Sequence, residues 1–379
     1  MINASLAGVI DAARRSGAFG RVLGARRSVE GILADQFVDL TDFSADRLAR
    51  LRVTPSAALG TSRHRPSDDE IEQILDAFSD QRIEVFAPIG GNDTADTALR
   101  LGLAAQARGQ SLRVITVPKT IDNDLPETDH CPGYGSIARF VAEATRDAAF
   151  DTRAMAQIYP IKLVEVMGRN AGWLAAAGSL AFETDSNLPR PVICLPERPF
   201  SNLDDLATLA QQRIERDGYV VMVVPETMKW ANGQSVAGDE PVWVDTFGHR
   251  YFPSAGEALA RELGSVLAVR ARYDKPGTIA RMAMLAASPV DLDEAFACGV
   301  EAVRRAVEGE TGTMVTIVRT NNDPYAVRYS SAPLDRIANT ERRLPDAYIA
   351  PGEHDVSPEF SQYALPLLGV SFTTYEVLQ

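Results

Sequence analysis

Pro118-Lys119-Thr120-Ile121-Asp122-Asn123-Asp124 puts one cation and two carboxylates into a single short loop. Asp and Asn suit turns, and in isolation the segment reads as one. Its surroundings ask for more. It follows the apolar run Ser111 to Val117, which reads as a buried strand, so the loop sits at a strand's carboxyl end, where open α/β sheets place their ligands. Gly90-Gly91-Asn92-Asp93-Thr94 ends the strand before it, and Met167-Gly168-Arg169 ends the strand after it. Glycines for close backbone approach, a Lys, several Arg and paired carboxylates suggest transfer of a phosphoryl group to a hydroxyl. That chemistry needs anion clamps, a metal and a base for the attacking oxygen.

The elements that would position these loops alternate. Ile83 to Ile89 reads as a strand running into Gly90-Gly91, with a helix from near Thr94 to about Arg108. Strand, Gly-Gly, then helix N-terminus is the physical form of a phosphate cradle. Gly133-Tyr134-Gly135-Ser136 opens a helix from Ile137 to Phe150, with Ser136 in N-cap position and its neighbours' amides available to a phosphate. Ile161 to Val166, Pro191 to Pro196, Tyr219 to Val224, Val266 to Tyr273 and Gly312 to Thr320 read as strands. Met1 to Ser16, Ala171 to Phe182, Leu203 to Arg216, Ser254 to Gly264 and Ser288 to Glu308 read as helices, as does Pro66 to Ser79, where Ser67 and Glu70 form a capping box. Residues 228–253, with Trp230, Trp243 and His249, read as a polar insertion. The alternation argues for parallel sheets covered by helices.

Composition narrows the partners. The 379 residues suffice for two domains, and no stretch approaches a membrane span. A net charge of −13 argues against nucleic acid, whose backbone wants a basic face, but not against a small anionic substrate gripped by locally converging Lys and Arg. Cys131, Cys194 and Cys298 are scattered and form no metal pattern; together with the lack of a signal peptide they fit a reducing cytoplasm.

PKTIDND, followed by Thr128-Asp129-His130-Cys131-Pro132-Gly133-Tyr134-Gly135-Ser136, resembles the catalytic loop of the phosphofructokinase family in its pyrophosphate-dependent branch, and Val164-Glu165-Val166-Met167-Gly168-Arg169 resembles that family's sugar-phosphate motif. The resemblance implies a phosphofructokinase-like fold of two interleaved α/β domains with mainly parallel sheets. Residues 1–133 and 281–335 would form the pyrophosphate domain, and 134–280 and 336–379 the sugar-phosphate domain. In the family a strand and a Gly-rich turn precede the first helix; the sequence starts at that helix, so both are expected to be missing.

By the same resemblance, Arg63, Gly90, Gly91, Asp93, Thr94 and Lys119 hold the phosphoryl donor. ATP-using members carry glycine where Asp93 stands. Pyrophosphate users carry Asp, whose carboxylate takes the place of a nucleotide's α-phosphate and repels a third phosphate. Lys119 completes that signature as a point charge on the transferring group. Asp122 is the expected base for the 1-hydroxyl of fructose 6-phosphate, with Thr120 touching the substrate and Asp124 orienting the loop or the metal. Met167, Gly168, Arg169, Glu197, Arg272, Thr278 and Arg281 are expected on the sugar phosphate, with Arg272 reaching a neighbouring active site in a homodimer or homotetramer. Mg²⁺ is the implied cofactor, on Asp122, Asp124 and Asn92. The sequence departs from the family at Asn92 (usually Asp), Thr278 (usually His) and Ala280 (usually Gln). An ATP-dependent enzyme and a non-catalytic subunit are the alternatives. The clamps read phosphate rather than sugar length, so sedoheptulose 7-phosphate fits them as well as fructose 6-phosphate.

Overall fold

The computed structural model describes every residue except 185–186, 245–249, 353 and 378–379, so His249 lies outside the described residues. The chain divides into two compact units, Met1–Gly133 with Pro289–Arg342, and Tyr134–Ser288 with Arg343–Gln379.

The first unit opens with α1 (Ile2–Ser16), which stops at Gly17 in the left-handed conformation. Strands β1 (Leu23–Ala25) and β2 (Phe37–Asp39) make a small antiparallel ladder around helix α2 (Val29–Leu33), and α3 (Ala45–Arg52) follows. Helix α4 (Asp68–Asp80) begins with the Ser67/Glu70 capping box expected from the sequence. The strand expected over 83–89 is broken at Ala87-Pro88 into β3 (Val85–Phe86) and β4 (Ile89–Gly90), because proline has no N–H for a ladder. Helix α5 (Asn92–Ala107) and strand β5 (Arg113–Pro118) complete this stretch.

The second unit begins with α6 (Tyr134–Ala154), then β6 (Ile161–Val166), α7 (Trp173–Ala177), β7 (Val192–Ile193), α8 (Leu203–Asp217) and β8 (Val220–Pro225). Within 228–253 the strands β9 (Trp243–Val244) and β10 (Arg250–Tyr251) pair antiparallel, with Trp243 exposed. Helix α9 (Ala255–Val266), strand β11 (Ala271–Asp274) and helix α10 (Thr278–Met282) follow. The chain then returns to the first unit for α11 (Pro289–Val307), β12 (Thr313–Asn322) and β13 (Tyr325–Pro333), and ends in the second with α12 (Pro358–Leu368).

Each unit is built on one sheet. In the first the order is β13-β12-β5-β3, with β4 also on β5; all pairs are parallel except the β12/β13 hairpin. One face is covered by α4 and α5 through Ile74, Leu75, Phe78 and Leu101, the other by α11 through Cys298, Ala302 and Ala306. Helix α1 lies on α11 at backbone distance: a Cβ on Gly8 would stand 2.0 Å from Phe296 O, and one on Gly299 2.1 Å from Ser5 O. The sheet of the second unit, β11-β6-β8-β7, is wholly parallel and buries Ile161, Leu163, Met222 and Val224 under α8 and α9.

Several sequence-based boundaries move. Helix α5 begins at Asn92, not Thr94, because Gly91 serves as an N-cap without a side chain. Helix α6 already includes Tyr134, so Ser136 is not its cap. The expected helix over 171–182 splits into α7 and a 3₁₀ turn, Leu180–Glu183, and the strand expected from Val266 starts at Ala271, since Val266 ends α9. The chain crosses back at Pro289 and Arg342 instead of 281 and 335: α10 and the 3₁₀ turn Met284–Ala286 pack on α6, and Arg342 is bonded to the loop after β5. Among the described residues no helix is long and apolar enough to cross a membrane.

Candidate active site

In the first unit two loops leave neighbouring parallel strands side by side. Gly90 is in register with Pro118, and Lys119 donates its backbone N–H to Gly90 O (2.9 Å). Gly90 has no alternative, since a Cβ there would stand 2.0 Å from Thr94 Oγ1. Gly91 caps α5 without a side chain, which leaves the first-turn amides of Asn92, Asp93 and Thr94 without a local acceptor. Asp93 itself is exposed.

The loop after β5 is held from within. Thr120 is buried, donates its N–H to Pro132 O (3.2 Å), and bridges to Gly133. Its Oγ1 accepts from the backbone of Asp122 (3.1 Å), so the hydroxyl expected on the substrate orients the expected base. Asn123 is fully buried in the left-handed region (φ 56), and its Oδ1 accepts from Cys131 N (3.0 Å). Gly133 (φ 115) donates to Asp291 of α11 (2.7 Å). His130 is buried between two carboxylates, Asp129 at 2.7 Å and Glu294 at 2.6 Å. Burial works against its protonation, but hydrogen bonds and charge from Asp129 and Glu294 outweigh it and raise its pKa. Arg319 also binds Asp129 (2.9 Å), and Tyr325 donates to Glu294 (2.6 Å).

Asn92 and Asp124 bring the two loops together. Asn92 Nδ2 lies 3.5 Å from Asp124 Oδ2, while its Oδ1 is buried with no hydrogen-bond partner. An orphaned acceptor beside a carboxylate is a fit for a hard cation. Mg²⁺ takes one or two carboxylates and fills its shell with water and substrate phosphate. Among the described residues no three His, Cys, Asp or Glu side chains cluster into a complete metal cage. Asn92 and Asp124 are the expected ligands that the structure brings together, and Mg²⁺ there would need phosphate and water to complete its shell.

Arg63 is exposed on a loop pinned on both sides. His64 meets Glu70 at 2.9 Å, so it is the engaged loop histidine that its position suggests, and Arg65 meets the buried Asp96 at 2.7 Å. Burial pushes the Asp96 pKa up, but hydrogen bonds from Asn339 and Arg65 overcome it and lower the pKa.

In the second unit Met167-Gly168-Arg169 turns out of β6. Gly168 (φ 121) and Arg169 (φ 48) are both in the left-handed region, which Gly168 occupies without strain. Met167 lines a small apolar pocket with Ile137, Phe140, Val164 and Ala280. Thr278 and Arg281 stand one turn apart on α10, both exposed, whereas Ala280 between them is buried. Arg272 lies on β11 in register with Lys162, four residues before β6 ends at Val166, or about 13 Å of strand at ~3.3 Å per residue. Its guanidinium covers the Tyr159 ring at 4.3 Å.

A model of the phosphofructokinase family matches residues 1–306. The chain belongs to the phosphofructokinase family. It is 34% identical over 99% of its length, and 91% of the relative's, to a pyrophosphate–fructose 6-phosphate 1-phosphotransferase of Halomonas elongata. It is 36% identical, over 97% of its length and 88% of the relative's, to one of Xanthomonas campestris pv. campestris. The solved pyrophosphate-dependent phosphofructokinase of Nitrosospira multiformis superposes with a TM-score of 0.88 at 33% identity, covering 99% of this chain and 90% of that one.

Two of the residues singled out in the sequence have partners within their own unit. Glu197, expected on sugar hydroxyls, gives Oε1 to the backbone N–H groups of Gly172 (3.0 Å) and Leu344 (2.9 Å), and its Oε2 is buried without a hydrogen-bond partner. Ser136, read as a cap, accepts from Ser288 N (3.0 Å). A further carboxylate, which the sequence reading does not single out, lies at a strand end. Glu226 follows β8, and its N–H is bonded to Val166 O (2.8 Å). Burial and the Glu165 carboxylate raise its pKa, against Lys275, Arg169 and Arg281. A half-buried carboxylate beside two of the expected phosphate-binding arginines is suited to a sugar hydroxyl. Its signal is position, a Glu one residue beyond the carboxyl end of a buried strand.

Proposed function

We propose that this chain transfers a phosphoryl group reversibly from pyrophosphate to the 1-hydroxyl of fructose 6-phosphate. The observation that carries this reading is Asp93 in the first turn of α5, directly after the Gly90-Gly91 turn that runs beside Lys119. The turn and the helix start offer backbone donors to two phosphates, and Lys119 offers a compact charge. The carboxylate opposes a third phosphate, which disfavours ATP.

The roles follow from chemistry. Asp122 takes the proton of the sugar O1 as the O1–P bond forms; the bridging P–O bond of pyrophosphate breaks, and phosphate leaves with that electron pair. Lys119 balances charge on the transferring group. Thr120 Oγ1 holds Asp122 through its backbone. Mg²⁺ on Asn92, Asp122 and Asp124 would neutralise phosphate charge. Arg169, Arg281 and Thr278 hold the sugar phosphate, and Met167, Gly168, Glu197 (through its unpartnered Oε2) and Glu226 meet the sugar itself. Arg63 completes the donor clamp.

Arg272 would serve a neighbouring copy in a homodimer or homotetramer. What supports this is its separation along the sheet from the end of β6, and the exposed apolar side chains Tyr273, Ile279, Met282 and Leu285 around the edge strand β11. Three free, buried thiols agree with a cytoplasmic protein.

The test is turnover with fructose 6-phosphate and Mg²⁺, offering pyrophosphate or ATP. Turnover with pyrophosphate alone is expected. Turnover with ATP alone would overturn the donor assignment, and turnover with neither would leave a non-catalytic member of the family.

A further inference from the structure

The structure assigns Arg342 as a positioning residue for the loop that carries Asp122, an inference that rests on the reaction proposed above. Arg342 lies more than two hundred residues after that loop in sequence, at the last position of the first unit. Its guanidinium donates to backbone carbonyls at both ends of one stretch. Nε and Nη2 reach Asn123 O at 3.2 and 2.8 Å, and Nη1 reaches Thr128 O at 2.6 Å and Asp129 O at 2.7 Å. Its own N–H donates to Asp124 O at 2.7 Å.

Such an arrangement answers a specific need. Residues 119–131 connect β5 to α6 without a helix or a ladder of their own. Asn123 and Glu127 both hold positive φ, so the stretch is not extended there. Buried carbonyls need donors, and no sheet neighbour supplies them here. A planar fork of five N–H donors can serve several carbonyls at once, and its charge strengthens each bond.

The two ends of the loop depend on Arg342 unequally. Residues 128–130 have independent anchors: Asp129 N bonds Ile317 O (2.8 Å), Thr128 Oγ1 accepts from Ile317 N (2.9 Å), and His130 is fixed by Asp129 and Glu294. Asn123 is anchored on that side by its Oδ1, which accepts from Cys131 N, while both its carbonyl and that of Asp124 are held by Arg342. Loss of the guanidinium therefore frees the Asn123 carbonyl and loosens Asp122-Asn123, while Asp124 O keeps the backbone N–H of residue 342 and 128–131 stay in place. The base moves relative to the sugar hydroxyl. The Gly90-Gly91 turn and Lys119, which grip the donor, are held by other bonds.

The experiment compares Arg342→Ala and Arg342→Lys with the unaltered full chain in three measurements: steady-state kinetics with pyrophosphate and fructose 6-phosphate, rescue by added guanidinium ion, and amide hydrogen exchange over 119–131. For Arg342→Ala, kcat is expected to fall roughly 10- to 100-fold, the scale of an ångström-sized misplacement. KM for pyrophosphate should stay within about threefold, and guanidinium should restore part of kcat. Exchange should quicken at 122–125 but not at 128–131. Arg342→Lys, which keeps the charge but not the fork, should show a smaller kcat loss of the same kind, and it carries the test if the alanine variant does not fold. A folded variant with unchanged kcat, or a loss confined to KM, overturns the assignment. If the unaltered chain turns over no pyrophosphate, the proposed reaction is what fails; exchange then decides Arg342 alone, and unchanged protection at 122–125 overturns its role.

Discussion

Asn92 directs its amide NH₂ at the Asp124 carboxylate, 3.5 Å away, and leaves its Oδ1 buried without a partner. The amide NH₂, not the oxygen, thus faces the carboxylate where the two strand-end loops meet. Asn92→Asp replaces the amide donor by a second carboxylate. With Mg²⁺ bound, the added charge should lower the half-saturating Mg²⁺ concentration several-fold. Without it, two carboxylates face each other and the protein should melt earlier. Activity and melting temperature titrated against Mg²⁺ check both. A half-saturation point that stays put would remove Asn92 from the metal site.

Asp93 sits at the mouth of α5, exposed and in the first helical turn. Asp93→Gly removes the charge that opposes a third phosphate. Turnover with pyrophosphate should fall and ATP should gain at least about tenfold relative to it, a change of ~1.4 kcal/mol in discrimination. The helix also loses an acid from its positive end, which costs roughly 0.3–1 kcal/mol. A modest drop in melting temperature should therefore accompany the switch. An unchanged donor ratio would mean that Asp93 does not face the donor.

Asp122→Asn tests the base. The amide is isosteric and leaves the Asp122 N–H bond to Thr120 Oγ1 in place. The expected loss is about 10²–10⁴-fold in kcat with both KM values nearly kept. A loss expressed in KM alone would make Asp122 a binding group.

His130 couples the loop to pH. Its pKa is raised in the folded protein, so its stabilising share is fully present below the unfolded value of about 6.5 and fades as pH rises through the higher folded value. Asp129 runs the other way. Burial pushes its pKa up, but His130 and Arg319 outweigh this and lower it, so its share is lost only in acid. The groups facing the imidazole are Asp129 and Glu294, with Arg319 and Tyr325 behind them. The melting temperature should decline from neutral toward alkaline pH. His130→Gln should lose most of that slope and melt earlier, because Glu294 and Asp129 lose the titrating imidazole between them, though Asp129 keeps Arg319. A variant that keeps the full slope would assign it elsewhere.

The strand-end loops were legible because each is announced locally: a buried apolar run, then glycine or a short polar segment, as at Gly90-Gly91 and Met167-Gly168-Arg169. The parallel strands of both sheets followed from the same alternation, while the antiparallel strand β13 did not. The features that escaped are those set by partners far along the chain. Ser136 looks like a cap until Ser288 takes its oxygen, and nothing local shows that Gly172 and Leu344 hold one oxygen of Glu197. Arg342 carries no local sign, since its carbonyl partners are identical along any backbone. The start of α5 was misplaced because its cap is a glycine, and a missing side chain leaves no mark of its own.

Arg272 provides the test of assembly. It lies level with Lys162 on β11, well short of the end of β6 where Gly168 and Arg169 begin the sugar-phosphate loop. If it completes a neighbour's site, Arg272→Ala and Asp122→Asn protomers should complement one another. Each is expected to be nearly inactive alone. In a mixed dimer the Arg272→Ala protomer keeps its own Asp122 and receives Arg272 from its partner, while the other site has neither group. Random mixing at equal amounts makes half the dimers mixed, each with one working site, so activity should recover to about a quarter of the unaltered level. An arginine acting within its own chain gives no recovery on mixing. The two mechanisms are therefore separated by a single activity measurement after unfolding and refolding the variants together, with each refolded alone as the control.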